Sequence, residues 1–169
     1  NVQKIFSNQY FRVYSGIDVV GVEIGGSAKN IIALAAGICQ GLGYGDNTIA
    51  ALITRGIQEI IRFSETYTSN THSLLGISGV GDLIVTATSN HSRNKSLGVL
   101  IGKGKKLNEI FDEMNMVIEG VETARAVYLI SKENNISMPI CNEVYDVLFD
   151  DKDPLVAINN LMSRELRSE

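Results

Sequence analysis

At 169 residues and 18.4 kDa the chain has the length of one domain, enough to close a sizeable core and too short for a cofactor domain plus a substrate domain. A composition that is 44% apolar and 20% charged, with only two prolines, excludes a disordered chain. Fifteen basic against nineteen acidic residues leave a net charge of −4 and a pI near 5.2, which excludes holding nucleic acid or an anionic membrane through the overall field, so any anion site must be local.

The chain opens Asn1-Val2-Gln3 rather than with methionine and is expected to be a piece of a longer protein. From Phe6 to Tyr14 aromatic and β-favouring residues accumulate ahead of a Ser15-Gly16 turn, which predicts one short strand at 11–14. A lone strand cannot satisfy its own backbone groups, and no later segment alternates with period two, so this strand is expected to join a sheet from outside the chain. After Asp18, a candidate N-cap, the pattern is helical to the end. Helices are predicted at about 19–41, 47–66, 93–102, 107–114, 120–134, 139–149 and 154–162. Asp46 is expected to cap the second, Pro139 to sit at a first helical position, and Asp153-Pro154 to form a cap followed by proline at N1. His72 to His91, interrupted by Gly76, Gly79 and Gly81, reads as a long irregular loop of the kind that carries function. The fold class is therefore all-α, a multi-helix bundle.

Several function classes fall away on the same reading. Cys39 and Cys141 lie in apolar stretches with no C-x-x-C pair and no secretory signal, which points to a reducing cytoplasmic setting. His72 and His91 are the only histidines, so no metal site is expected. The longest apolar run, Ile31 to Cys39, is about half of the roughly 20 residues a bilayer crossing needs, so no membrane span is expected.

Three groups of residues could carry chemistry. Between Glu23 and Asp46 the only charged side chain is Lys29, with Gly25 and Gly26 one turn before it and Ala33 one turn after. Glycine costs about 1 kcal/mol relative to alanine inside a helix, so its clustering implies close approach by another backbone or a ligand. A lysine there loses hydration and becomes a candidate for acid–base work, or else it snorkels to solvent beside a Gly21, Gly25, Ala28 packing stripe. The second group is Gly79 to Thr86 followed by Ser89-Asn90-His91-Ser92-Arg93-Asn94-Lys95. Ser92-Arg93-Asn94 falls at a helix start, where free N–H groups and the positive end of the dipole favour phosphate. No acidic residue occurs from Leu83 to Asn108, while Arg93, Lys95, Lys103, Lys105 and Lys106 supply a local positive field. A Ser N-cap on a solvated basic helix accounts for the same residues without any ligand. The third group, Met116 to Gly120, leads into a helix that Glu119 could cap. Glu23, Asp46, Arg55 and Arg62 read as helix-surface or cap charges.

Together these motifs resemble a family. Gly21-Val22-Glu23-Ile24-Gly25-Gly26-Ser27-Ala28-Lys29-Asn30, Gly41-Leu42-Gly43-Tyr44-Gly45-Asp46-Asn47, Ala51 to Gly56, Gly81-Asp82-Leu83, Ser92-Arg93-Asn94 and Glu119-Gly120 resemble the C-terminal domain of bacterial NAD(P)-dependent glycerol-3-phosphate dehydrogenases, over about Phe6 to Leu166. The resemblance implies a helical domain like the C-terminal domain of 6-phosphogluconate dehydrogenase, spanning 18–169. Residues 1–17 would be linker and strand from an N-terminal Rossmann domain that binds NAD or NADP. It further implies interconversion of sn-glycerol 3-phosphate and dihydroxyacetone phosphate in a cytoplasmic homodimer serving glycerophospholipid and phospholipid synthesis, with this domain inactive alone. By the resemblance Lys29 is the proton acceptor and donor for the secondary hydroxyl, and Asp82 bonds substrate or orients the lysine. Ser92, Arg93 and Asn94 hold phosphate or glycerol hydroxyls, and Thr86 is a further substrate contact. Arg93, Val117 and Glu119 meet the cofactor. Ser27, where a smaller residue is usual, and His91 depart from the pattern. A related hydroxyacid or ketopantoate dehydrogenase would share the lysine but not the phosphate set. A non-enzymatic helical dimerisation module would use the small-residue stripe and leave Lys29 and Asp82 without a role.

Overall fold

A computed structural model describes residues 1–113 and 118–165. The elements run α1 (Val2–Phe6), α2 (Val19–Gly41), α3 (Asp46–Ser64), α4 (Asp82–Thr88), α5 (Arg93–Gly102), α6 (Leu107–Glu113), α7 (Glu119–Glu133), α8 (Pro139–Phe149) and α9 (Pro154–Met162). A 3₁₀ turn at His72–Leu75 and a π turn at Ile77–Gly81 precede α4.

The all-helical expectation holds, and α2 is its axis. Asp18 caps this helix by accepting the Gly21 N–H at 2.8 Å, and its carboxylate also takes the Ser73 and Thr68 hydroxyls. The Ser73 hydroxyl and the Gly21 amide hold that carboxyl below the usual range. From Asn30 to Cys39 every residue of α2 is buried, and a helix that is apolar all round must be enclosed. α3, α4, α5, α7 and α8 enclose it. By length and composition α2 would also cross a bilayer, but over half of the apolar stretch is buried against these neighbours, so here it is a core helix. Both cysteines are buried and free.

The approach of α5 to α2 depends on glycine. A Cβ on Gly37 would lie 2.1 Å from the Lys95 carbonyl oxygen and 2.9 Å from Gly98 Cα, and one on Gly102 would lie 2.3 Å from the Ile38 oxygen and 3.0 Å from Gly41 Cα. Two pairs of glycines four residues apart, Gly37/Gly41 and Gly98/Gly102, therefore let the two backbones touch.

Two sequence expectations are corrected, and a third is not confirmed: no strand is assigned at 11–14, whose expected partner sheet lies outside the chain. The segment instead folds back on α1, where Gln3 donates to the Val13 carbonyl at 2.8 Å and the Ser7 hydroxyl accepts the Val13 N–H at 3.1 Å. Gly45 rather than Asp46 caps α3, and Asp46 becomes its first helical residue. The stretch from His72 to His91 is largely coiled rather than irregular. Gly79 does not break it, because its missing Cβ lets the chain pass the Leu74 carbonyl, which a Cβ would meet at 2.0 Å.

A buried carboxylate joins α3 to α8. Pro139 at the start of α8 has no N–H, so Ile140 and Cys141 carry the next free donors, and Glu59 accepts both at 2.7 and 3.2 Å. Glu59 is only 3% exposed, and burial outweighs these bonds and the Arg62 guanidinium, pushing its carboxyl up to about 7. The folded state thus keeps a proton that the unfolded chain releases near its ordinary value of 4.5. The stabilisation this proton confers is complete below about pH 4.5 and is lost as the pH rises through about 7. Urea unfolding is expected to show a loss of about 2–3 kcal/mol over that window, absent in Glu59→Gln. An equal slope in both proteins would show that Glu59 does not titrate there.

Candidate functional site

Lys29 points from α2 toward α4, where its ammonium pairs with the Asp82 carboxylate. The pair sits at a protein–solvent boundary, with side chains 18% and 40% exposed. The lysine is therefore not alone among apolar residues, as its sequence surroundings suggest, but has a carboxylate partner 53 positions away. The 3₁₀ and π turns explain how that partner arrives: they carry the chain directly into α4, whose first residue is Asp82. Thr86, one turn further, is half-buried and donates its hydroxyl to the Asp82 carbonyl at 2.7 Å.

Ser92 caps α5 by accepting the Lys95 N–H at 3.3 Å, which leaves the exposed Arg93 as first helical residue. The side chain of Asn94 has partners inside the protein. It is 8% exposed, its amide donates to Asn30 Oδ1 at 2.9 Å, and its oxygen accepts the Gly120 N–H at 3.0 Å. Lys95, counted in the basic stretch, is buried too, and its ammonium donates to the Thr88 carbonyl at 2.8 Å and to Asn90 at 3.2 Å. Lys103, Lys105 and Lys106 follow the far end of α5, about 15 Å from Ser92 at 1.5 Å per residue, and Lys106 pairs with Asp151. The positive field near Ser92 is accordingly narrower than the sequence count implies.

Glu119 is the exposed first residue of α7, directly before the Gly120 that bonds Asn94. Val117 lies outside the described residues. The structure thus joins Lys29 to Asp82 directly, and joins α2 to the starts of α5 and α7 through Asn30, Asn94 and Gly120. Sequence reading missed the role of Asn30. Its signal was a lone amide at the head of the apolar run from Ile31 to Cys39, in register with Ala33, Leu34 and Gly37 on one helix face.

An open groove of about 460 Å³ between α2 and α7 lies elsewhere. Ser27, Ala28, Phe63, Ala126 and Val127 line it, and none of the candidate site residues does. Ser27 and Lys29 are two residues apart, about 200° around the helix, so the groove and the ion pair occupy different faces of α2. Among the described residues no cluster of three or more histidine, cysteine or acidic side chains could hold a metal ion.

Comparison with known proteins gives one consistent result. The family model for the C-terminus of NAD-dependent glycerol-3-phosphate dehydrogenase matches residues 18–159. Glycerol-3-phosphate dehydrogenase (NAD(P)+) of Geobacillus kaustophilus is 54% identical over 99% of this chain and 49% of its own length. The Lysinibacillus sphaericus protein of the same name is 53% identical over 99% and 50%. A crystal structure of glycerol-3-phosphate dehydrogenase from Coxiella burnetii superposes with a TM-score of 0.90 at 38% identity, covering 96% of this chain and 50% of that one. The chain spans about half the length of the curated relatives it matches.

Proposed function

We infer that this chain, which belongs to the family of NAD-dependent glycerol-3-phosphate dehydrogenase C-terminal domains, is the substrate half of an enzyme that interconverts sn-glycerol 3-phosphate and dihydroxyacetone phosphate. The observation that carries the reading is the Lys29–Asp82 pair, a proton-transfer group at the solvent boundary with a carboxylate to hold it. Oxidation of the secondary alcohol removes a hydride from carbon 2 and a proton from its oxygen. Lys29, with its amine neutral, takes that proton; in reduction its ammonium returns it to the forming alkoxide. Asp82 anchors the charged form and aims the Nζ atom. Ser92, Arg93 and the main-chain N–H of Asn94, at the positive end of α5, receive the phosphate, and Thr86 lines the approach beside Asp82.

NAD or NADP, when bound, supplies the hydride acceptor or donor. The guanidinium of Arg93 and the carboxylate of Glu119 suit the phosphates and the hydroxyl or amide groups of such a cofactor, and the Asn94–Gly120 bond keeps their two helix starts together. Val117 is a further cofactor contact that the family resemblance implies. Most of the cofactor contact belongs to a Rossmann half, so this chain alone is expected to be inactive. Residues 1–17 belong with that half, in keeping with the exposure of Tyr10, Phe11, Tyr14 and Ile17. The same reading carries a cytoplasmic homodimer that serves phospholipid synthesis, its stoichiometry open to sedimentation measurement.

The deciding experiment joins the chain to its cofactor half and follows NADH and NADPH oxidation with dihydroxyacetone phosphate, ketopantoate and short oxoacids. Turnover only with dihydroxyacetone phosphate is expected; turnover only with either of the others would overturn the reading. Arg93→Ala is expected to raise KM for dihydroxyacetone phosphate about 10–100-fold, the worth of a lost charged hydrogen bond, with a smaller change in kcat. An unchanged KM would remove Arg93 from the phosphate site.

A further inference from the structure

The substrate proposed above presents two groups to this chain, a phosphate at one end and a reacting oxygen in the middle, held a fixed few bonds apart. Arg93 and Lys29, which would meet them, are 64 positions apart in sequence and sit on different helices. Something must hold the two at a matching distance. The glycine crossing of α2 and α5 sets how close these helices lie, but glycine against backbone offers no directional bond to stop one helix sliding or turning on the other.

Such a bond occurs one residue from each group. Asn30 follows Lys29 on α2, Asn94 follows Arg93 on α5, and their side chains meet at 2.9 Å with 5% and 8% exposure. Asn94 then spans to the Gly120 N–H, one of the donors that the first turn of α7 leaves without a helical partner. There is no slack in this arrangement. A Cβ on Gly120 would lie 2.5 Å from Asn94 Oδ1, 2.9 Å from Leu34 Cδ1 and 3.1 Å from the Asn30 carbonyl oxygen. A buried amide pair is a poor source of stability compared with apolar packing, but each amide is heavily penalised if its partner moves away, so the pair favours one register over all others.

We propose that Asn30 is a positioning residue for the reaction: through Asn94 it fixes the Ser92–Arg93 turn relative to the Lys29 ammonium, and so matches the spacing of the two subsites to that of phosphate and reacting oxygen in the substrate. It touches neither substrate nor cofactor. Its effect is confined to substrates that engage both subsites at once. The inference rests on the functional reading above.

The test is a comparison of dihydroxyacetone phosphate with dihydroxyacetone, which lacks the phosphate, in the full-length enzyme with saturating cofactor. Asn30→Leu keeps the branched shape and the number of heavy atoms and removes the acceptor. It is expected to lower kcat/KM for dihydroxyacetone phosphate at least about tenfold, as small misplacements in a site do, while dihydroxyacetone changes by less than about twofold. Asn30→Asp keeps an oxygen facing the Asn94 amide and is expected to restore most of the preference for the phosphorylated substrate. Should Asn30→Leu not fold, Gly120→Ala, which pushes on Asn94 from its other side, is expected to lower the same ratio. An equal loss with both substrates, or an unchanged ratio in the folded variant, would overturn the inference. A wild-type enzyme that does not reduce dihydroxyacetone phosphate would overturn the functional reading itself.

Discussion

Lys29→Ala in a full-length enzyme that carries this chain is expected to lower kcat at least 100-fold, within the range a positioned acid–base group contributes. The fold is expected to survive, because the ion pair lies at the solvent boundary and Asp82, 40% exposed, is hydrated once its partner is gone. Removing the lysine also removes a charge, so the alanine variant does not separate proton transfer from electrostatic anchoring. Lys29→Arg does. Arginine can retain the pairing with Asp82 and the positive charge, but its guanidinium does not release a proton in the working pH range. The arginine variant is therefore expected to remain as inactive as alanine in steady-state assays while binding substrate nearly as well as wild type. Turnover within about tenfold of wild type in the arginine variant would assign Lys29 an electrostatic role and require another proton carrier.

The residues that stand out as site candidates in the sequence are those that differ most from their surroundings. Lys29 is legible because it is the only charge from Ile24 to the end of a long apolar helix, and the α2, α5, α8 and α9 boundaries are legible because Asp18, Ser92, Pro139 and Asp153 supply local stop and start chemistry. The carboxylate partner of Lys29 is not legible from spacing, since ion pairing across 53 positions depends on how α4 docks. Neighbouring helix positions also differ by about 100°, so a polar run such as Ser92 to Lys95 does not reveal which members face inward. Arg93 remains outside, whereas Asn94 and Lys95 are buried. The glycines between His72 and Asp82 misled for a related reason. Glycine permits both chain reversal and close packing, and Gly79 serves packing against Leu74. The strand at 11–14 is not confirmed, since its residues favour extension but cannot form a ladder without a partner strand.

The four glycines between α2 and α5 carry the largest expected effect on stability. In an isolated helix Gly98→Ala would be favourable by about 1 kcal/mol, because alanine restricts the unfolded chain and has the higher helix propensity. Here the sign reverses. The new Cβ would lie 2.2 Å from the Leu34 carbonyl oxygen, 2.9 Å from Gly37 Cα and 2.9 Å from the Ile38 nitrogen. All three atoms belong to the backbone of the buried central helix, so no side chain can swing aside, and relief requires the two helices to separate. Separation would strip contacts from Leu34, Ile38, Leu97 and Ile101, all buried at this crossing. A destabilisation of about 4 kcal/mol or more is expected in urea unfolding, a large part of the 5–15 kcal/mol typical of a domain. Gly26→Ala supplies the control: nothing lies within 4 Å of its added Cβ, so the same substitution in α2 is expected to be neutral or stabilising by up to about 1 kcal/mol. Equal stability of the two alanine variants would mean that α5 does not rest on the α2 backbone. The register between Lys29 and Arg93 would then have to be set without the glycine crossing, which lies only about two turns along α5 from Arg93.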